Sequence, residues 1–400
     1  MYLQRFKTIL PLMFMLFYSS SLLAKTQLVL WHSWVENNSL WLKIKQDFNA
    51  EHKDIELKIN GFAHEEMKKS IILSGFKSKS ADIILMPSDW LGYHNVMQFS
   101  VISKDIINPA VNPVVIDQTT FKNEILGIPL FQGNHLLFMY NKSLVDDPAT
   151  TWEALVNASE DLNKKGIKPV AINYNEMFWF VPFIDAFGGF PVDKEKVKLN
   201  TAATVSALKY YKYLAKIGVL DKDCTYQCVS TDFYQGKFAY SLSGSWTYKL
   251  AKKALGDNLG LAPFPTLNGH EFKPMKGNLV IAFPKHSLQG SKHDALVKFS
   301  HFIQQEKYQQ LMFEESSVFP VNVAVMTKIL AHADSDFKFS YAQFQRSRAL
   351  PASTSIPAVW NGMYKGFMLY MQGELSAKEA AIYMQKSVER EQMILNRKHH

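Results

Sequence analysis

Cysteine is nearly absent from this 400-residue chain, which holds only Cys224 and Cys228. No His or third Cys stands at ligand spacing around the pair, which argues against a structural zinc site. A close pair in an oxidising compartment suits a local disulfide, and closing so short a loop adds only about 2 kcal/mol in the chain-entropy picture. Such a clip is expected to lie away from any ligand surface. After residue 24 the chain also lacks an apolar run approaching the ~20 residues that span a bilayer. Like charges never run to five or six in a row, so the formal net charge of +8 reads as solvation and a nucleic-acid partner is not expected. Gly-x-Ser-x-Gly, His-Glu-x-x-His, Gly-x-Gly-x-x-Gly and phosphate-loop patterns are missing. His64-Glu65-Glu66-Met67-Lys68 approaches the zinc pattern without its second His. No catalytic group, metal or cofactor is therefore expected.

What is present begins with a leader. Arg5 and Lys7 precede the apolar stretch Ile9 to Phe17, three serines and Ala24, the order of a cleaved secretory peptide over residues 1–24. No Cys follows it to carry a lipid, so a soluble chain starting near Lys25 and exported to the periplasm is expected. Losing Arg5 and Lys7 would bring the net charge from +8 to +6. Length points to two domains. An apolar share of 47% with 20% charged residues is that of a globular protein. Aromatics at 13% exceed what a core needs and hint at a stacking surface.

Periodicity sketches the elements. Gln27–Trp31 reads as a strand, and Asn37 or Asn38 caps a helix with Leu40, Trp41, Ile44 and Phe48 on one face. A strand at 55–59, a helix over 64–74 and a strand at 82–86 follow, a succession that implies a parallel sheet. Further strands are expected at 127–131, 136–140 and 168–172. Thr151 caps a helix opening on Trp152, and helices cover 201–217, 290–314 and 375–397. Ligands of open sheets lie beyond the carboxyl ends of strands. Three such ends are rich in aromatic and polar side chains: Trp31 to Trp34, Met86 to Trp90, and Asn173 to Phe180. Sugars fit such surfaces, because their C–H faces stack on rings while their hydroxyls need carboxylates and amides.

Ordered short motifs make the chain resemble the bacterial extracellular solute-binding proteins of carbohydrate uptake, and within them the maltose-binding branch. The markers include Leu28-Val29-Leu30-Trp31, Asp82-Ile83-Ile84, Gly127-Ile128-Pro129, Tyr140-Asn141-Lys142, Thr151-Trp152-Glu153, Phe187-Gly188-Gly189 and Gly244-Ser245-Trp246. The resemblance implies an α/β fold of type II periplasmic receptors, two lobes with mostly parallel sheets closing about a hinge. Crossings are expected near 131–135, 276–280 and 320–330. The lobes would comprise 25–132 plus 278–325, and 133–277 plus 326–400. Carried over by local motif, the implied ligand contacts are Glu65, Asp89, Trp90, Asn134, Glu176, Phe178, Trp246 and Trp360, to which the aromatic loops add Trp34 and Trp179. Met86 falls where maltose binders stack a tryptophan, and Trp90 where they place an arginine. The departures at Met86, Trp90, Asn134 and Phe178 keep stacking capacity but change the polar partners, which leaves the sugar open. The implied role is the substrate-binding component of a sugar ABC importer, a monomer whose partners are a sugar and an inner-membrane permease. A chemoreceptor contact is compatible with it. Two other readings stand beside it: a glycerol-phosphate receptor on the same fold, or a secreted hydrolase using Asp89 and Glu176 as acid and base.

Overall fold

The computed structural model describes residues 25–73, 81–193, 196–316 and 318–397, so the leader lies outside the described residues. Among these, none of the helices is long and apolar enough to cross a membrane.

Two sheets organise the chain. The first, seven-stranded, runs in the order Phe319–Pro320, Ile128–Gly133, Met275–Ala282, Ile83–Pro87, Thr26–His32 and Ile55–Gly61, with Arg348–Ala349 beside one end of 275–282. Thr26–His32 pairs in parallel with both 55–61 and 83–87. Strand 128–133, which leads out to the other sheet, and strand 275–282, which returns from it, pair antiparallel with one another, and 275–282 also runs antiparallel to 83–87. Strand alternation divides the apolar residues between two layers: Ile83 and Leu85 enter one core cluster, Ile84 and Met86 the cluster on the opposite face. Asp82 fixes the entry of that strand, accepting from the Val29 N–H at 2.8 Å and pairing with Lys292 at 2.8 Å.

The second sheet has the order Leu259–Ala262, Leu136–Asn141, Phe238–Gly244, Lys168–Ala171. Its large core continues into helices Trp152–Lys164, Met177–Ala186, Ala202–Lys216, Ile356–Gln372 and Ala377–Arg397. Thr151 caps the first of these, its Oγ1 accepting from the Ala154 N–H at 3.0 Å.

Two local expectations are corrected. Asn37 does not cap helix Asn38–Glu51; its Oδ1 instead accepts from Ser316 Oγ at 2.7 Å, a contact from distant sequence. The stretch 290–314 is two helices, His293–Ile303 and Glu306–Ser316. At the break, the Gln304 amide donates to the carbonyls of Ile106 and Ser300.

The chain passes between the sheets at Gly133, Asn134 and His135, where φ is +138° at Gly133 and +43° at Asn134. Such angles turn the strand sharply; Asn tolerates them better than most side chains. His135 is buried here between Phe319 and Phe344, with ring centroids 5.6 and 5.5 Å away. Burial pushes its pKa down to about 3, so this passage carries a neutral imidazole.

Candidate functional site

Between the two sheets lies a cavity of about 520 Å³, a size typical of small-ligand sites. Its walls come from the strand ends that the sequence singled out, together with a helix from the C-terminal third.

One wall follows Ile83–Pro87, where the chain tightens into a 3-10 turn over Ser88–Tyr93. Asp89 and Trp90 both line the cavity. Trp90 is only 3% exposed, its ring 4.8 Å from that of His64. Gly92 lets helix Ile356–Gln372 approach, since a Cβ there would stand 2.6 Å from Pro357 Cδ. That approach carries Trp360 to the acid: its Nε1 donates to Asp89 Oδ2 at 3.1 Å, so one hydrogen bond spans the two walls. Trp34 follows strand Thr26–His32 and is 6% exposed, packed on Phe131 at 4.6 Å. Its backbone N–H donates to His32 Nδ1 at 3.2 Å. Burial lowers the His32 pKa to about 4, and a ring nitrogen that accepts that N–H is unprotonated, so His32 supports this wall as a neutral ring.

The facing wall is built on the second sheet. Glu176 stands at the N-terminus of helix Met177–Ala186, followed by Phe178 and Trp179. Trp179 is 5% exposed, and its Nε1 donates to the Leu242 carbonyl at 2.8 Å. Phe178 lies edge-on to it at 5.8 Å. Trp246 follows strand Phe238–Gly244 and lies over the glycine: a Cβ on Gly244 would stand 2.2 Å from its ring. Its Nε1 donates to the Tyr226 hydroxyl at 2.9 Å. Asn134 and Asn173 add amides to the lining.

Nine of the ten expected ligand contacts thus line one cavity: Trp34, Asp89, Trp90, Asn134, Glu176, Phe178, Trp179, Trp246 and Trp360. Glu65 lies on helix His64–Leu73, and its side chain is outside the described residues. Met86, considered as a stacking position, is fully buried in the core instead. Sequence reasoning missed Tyr226, Phe131 and His64 on the walls. Tyr226 had a signal available, standing between the two cysteines, and its presence corrects the expectation that this loop keeps away from the ligand surface. Cys224 and Cys228 are themselves unbridged and buried.

Asp89 and Glu176 are the carboxylates on the walls, and among the described lining residues there is no Lys or Arg. Lys276 lies over the Phe344 ring at 4.6 Å and donates to the Gln345 carbonyl at 3.2 Å. The arrangement offers flat apolar faces with hydrogen-bond acceptors and amides between them, suited to a polyhydroxylated ligand.

Comparison with known proteins agrees with this geometry. The family profile described as bacterial extracellular solute-binding protein matches residues 43–338. The maltodextrin-binding protein MdxE of Bacillus subtilis is 23% identical over 339 residues, covering 80% of this chain and 79% of its own length. A maltooligosaccharide ABC transporter solute-binding lipoprotein of Streptococcus pneumoniae is 25% identical over 280 residues, covering 66% of this chain and 64% of that one. Among solved structures, the maltose/maltodextrin-binding domain MalE from Bdellovibrio bacteriovorus bound to maltotriose matches with a TM-score of 0.84 at 20% identity, over 92% of this chain and 99% of that one. The fold is accordingly the two-lobed type II architecture of periplasmic binding proteins.

Proposed function

Because the chain belongs to the bacterial extracellular solute-binding proteins, we propose that it is the sugar receptor of an ABC importer, capturing a neutral oligosaccharide of the maltodextrin type. The observation that carries this reading is the composition of the cavity wall: half-exposed Phe178, Trp246 and Trp360 alternate with Asp89, Glu176 and Asn173, with no Lys or Arg among the described lining residues. Sugar rings stack on the aromatic faces, while their hydroxyls donate to the carboxylates and bond with the amides. Strand-end placement and the names of the related proteins point the same way.

The lobes in this reading are residues 25–132 plus 278–325, and 133–277 plus 326–400, moving about the passage at 133–135. Trp360 and Asp89 face one another across the cleft, so closure about a sugar brings both walls to it. Cleavage after Ala24 and export deliver the receptor to the periplasm, where it acts as a monomer and passes its cargo to an inner-membrane permease. Contact of the closed form with a chemoreceptor is compatible with this role. Turnover is not part of this reading, and the bound sugar is expected to be recovered unchanged. A phosphorylated ligand fits less well, since it would call for Arg or Lys at the cleft, and the described lining residues include neither.

A thermal-shift panel tests the assignment. Maltotriose is expected to raise the melting temperature, and glycerol 3-phosphate and amino acids to leave it unchanged. Stabilisation by glycerol 3-phosphate alone would overturn the proposal in favour of the phosphate receptor. Shorter saccharides appearing on long incubation, and lost in Glu176→Gln, would move it to hydrolysis.

A further inference from the structure

We propose that Cys224 and Cys228 become an intrachain disulfide in the exported protein, and that this bridge holds Tyr226 in the cleft wall against Trp246. The inference rests on the sugar-binding reading only for its affinity consequence.

Tyr226 stands midway between the two cysteines. It lines the cavity, is 36% exposed, and its hydroxyl receives the Trp246 indole N–H at 2.9 Å. The position of the indole is thus coupled to the loop that the cysteines bracket. That loop is tightly folded: the Cys228 N–H donates to the Thr225 carbonyl at 3.0 Å, and Ser230 Oγ to the Tyr226 carbonyl at 2.7 Å. A π-helical turn over Cys228–Asp232 follows, a widened turn often found beside functional sites. On the other side, the Cys224 carbonyl accepts from the Tyr174 N–H at 3.0 Å, inside the segment that brings Asn173 and Glu176 to the cavity. The cysteine pair therefore sits behind two stretches of the same wall. Both side chains are buried, four residues apart on this one tight turn.

The bridge forms by thiol–disulfide exchange as the exported chain folds, before the pair is enclosed. One thiol loses its proton, and the thiolate attacks a sulfur of a protein or small-molecule disulfide, expelling one thiolate of that oxidant. The second cysteine, also deprotonated, displaces the remaining oxidant sulfur and closes the Cys224–Cys228 bond. The two released protons end on the two thiols of the reduced oxidant, which has taken up the two electrons. With the loop held, Tyr226 and Trp246 need less ordering when a sugar arrives.

The test uses exported protein. Alkylation after denaturation is expected to label neither cysteine before reduction and both after it. Tryptophan emission without ligand is expected to differ between bridged and reduced forms. Maltotriose is expected to bind the bridged form roughly two- to tenfold more tightly, the effect of ordering one or two side chains. The double variant Cys224→Ser/Cys228→Ser is expected to match the reduced form and ignore reductant. Free thiols in exported protein would overturn the bridge, and a bridged protein with unchanged emission and affinity on reduction would overturn its link to the wall. Should maltotriose bind neither form, the sugar assignment fails separately, while thiol labelling and emission still decide the clip.

Discussion

Trp34, Trp90 and Trp179 line the same cavity as Phe178, Trp246 and Trp360, but the first three are 6%, 3% and 5% exposed while the others are half-exposed. For Trp179, Trp246 and Trp360 the partner of the indole N–H accounts for the difference. Trp179 donates inward to the Leu242 carbonyl, which fixes the ring as part of the second core. Trp246 and Trp360 donate to Tyr226 and Asp89, side chains on the cavity wall itself. In the proposed reading, the buried tryptophans shape the cleft and the half-exposed ones offer their faces to the sugar.

That division predicts unequal consequences for similar substitutions. Trp179→Ala is expected to act on the fold, costing about 3–5 kcal/mol as a large core truncation. A shift in the urea midpoint would show it; unchanged stability with abolished sugar binding would place Trp179 among the contacts instead. Acidification separates the walls in another way. His32 supports the Trp34 wall with a pKa near 4 against an unfolded value of 6.5, so the unfolded chain binds more protons between those values. Stability conferred by the neutral ring is complete above about pH 6.5 and lost as pH falls toward 4, by a few kcal/mol in all. His135 extends the same trend further toward acid. Urea unfolding at pH 7 and pH 5 checks this, and a His32→Gln variant that keeps the whole slope would contradict it.

Substitutions on the half-exposed side are expected to spare the fold. Gly244→Ala puts a methyl group where the Trp246 ring now lies, so the indole must leave its seat. Sugar affinity is expected to fall about tenfold or more, an effect on the order of 1.4 kcal/mol or larger. Asp89→Asn removes the charge while leaving an acceptor for Trp360. About a tenfold loss is expected, in line with hydrogen bonds to a charged group, and calorimetry on both variants orders them.

The elements were legible wherever their signals are local. Strand 26–32 and the face Leu40, Trp41, Ile44, Phe48 follow from periodicity, and the Thr151 cap is closed within three residues. Asn37 could not be read, because its amide is engaged by Ser316, 279 residues away. The break at Gln304 was likewise hidden, since its amide is held partly by Ile106, 198 residues back. At the cavity the strand-end loops were legible from their aromatic and polar content. The ranking among their tryptophans was not, because it depends on long-range N–H partners such as Leu242. Tyr226 reaches the wall by a bond to Trp246 over twenty residues, and periodicity carries no trace of such a contact.

Calorimetric titration of maltotriose into wild-type protein and Trp246→Ala, with urea unfolding of both, tests the central claim most directly. Losing the stacked indole is expected to weaken binding roughly 30- to 150-fold, or about 2–3 kcal/mol, with the unfolding midpoint nearly unmoved. If the variant instead loses about 3–5 kcal/mol of stability and its folded fraction binds maltotriose as wild type does, Trp246 is core and the stacking account is contradicted.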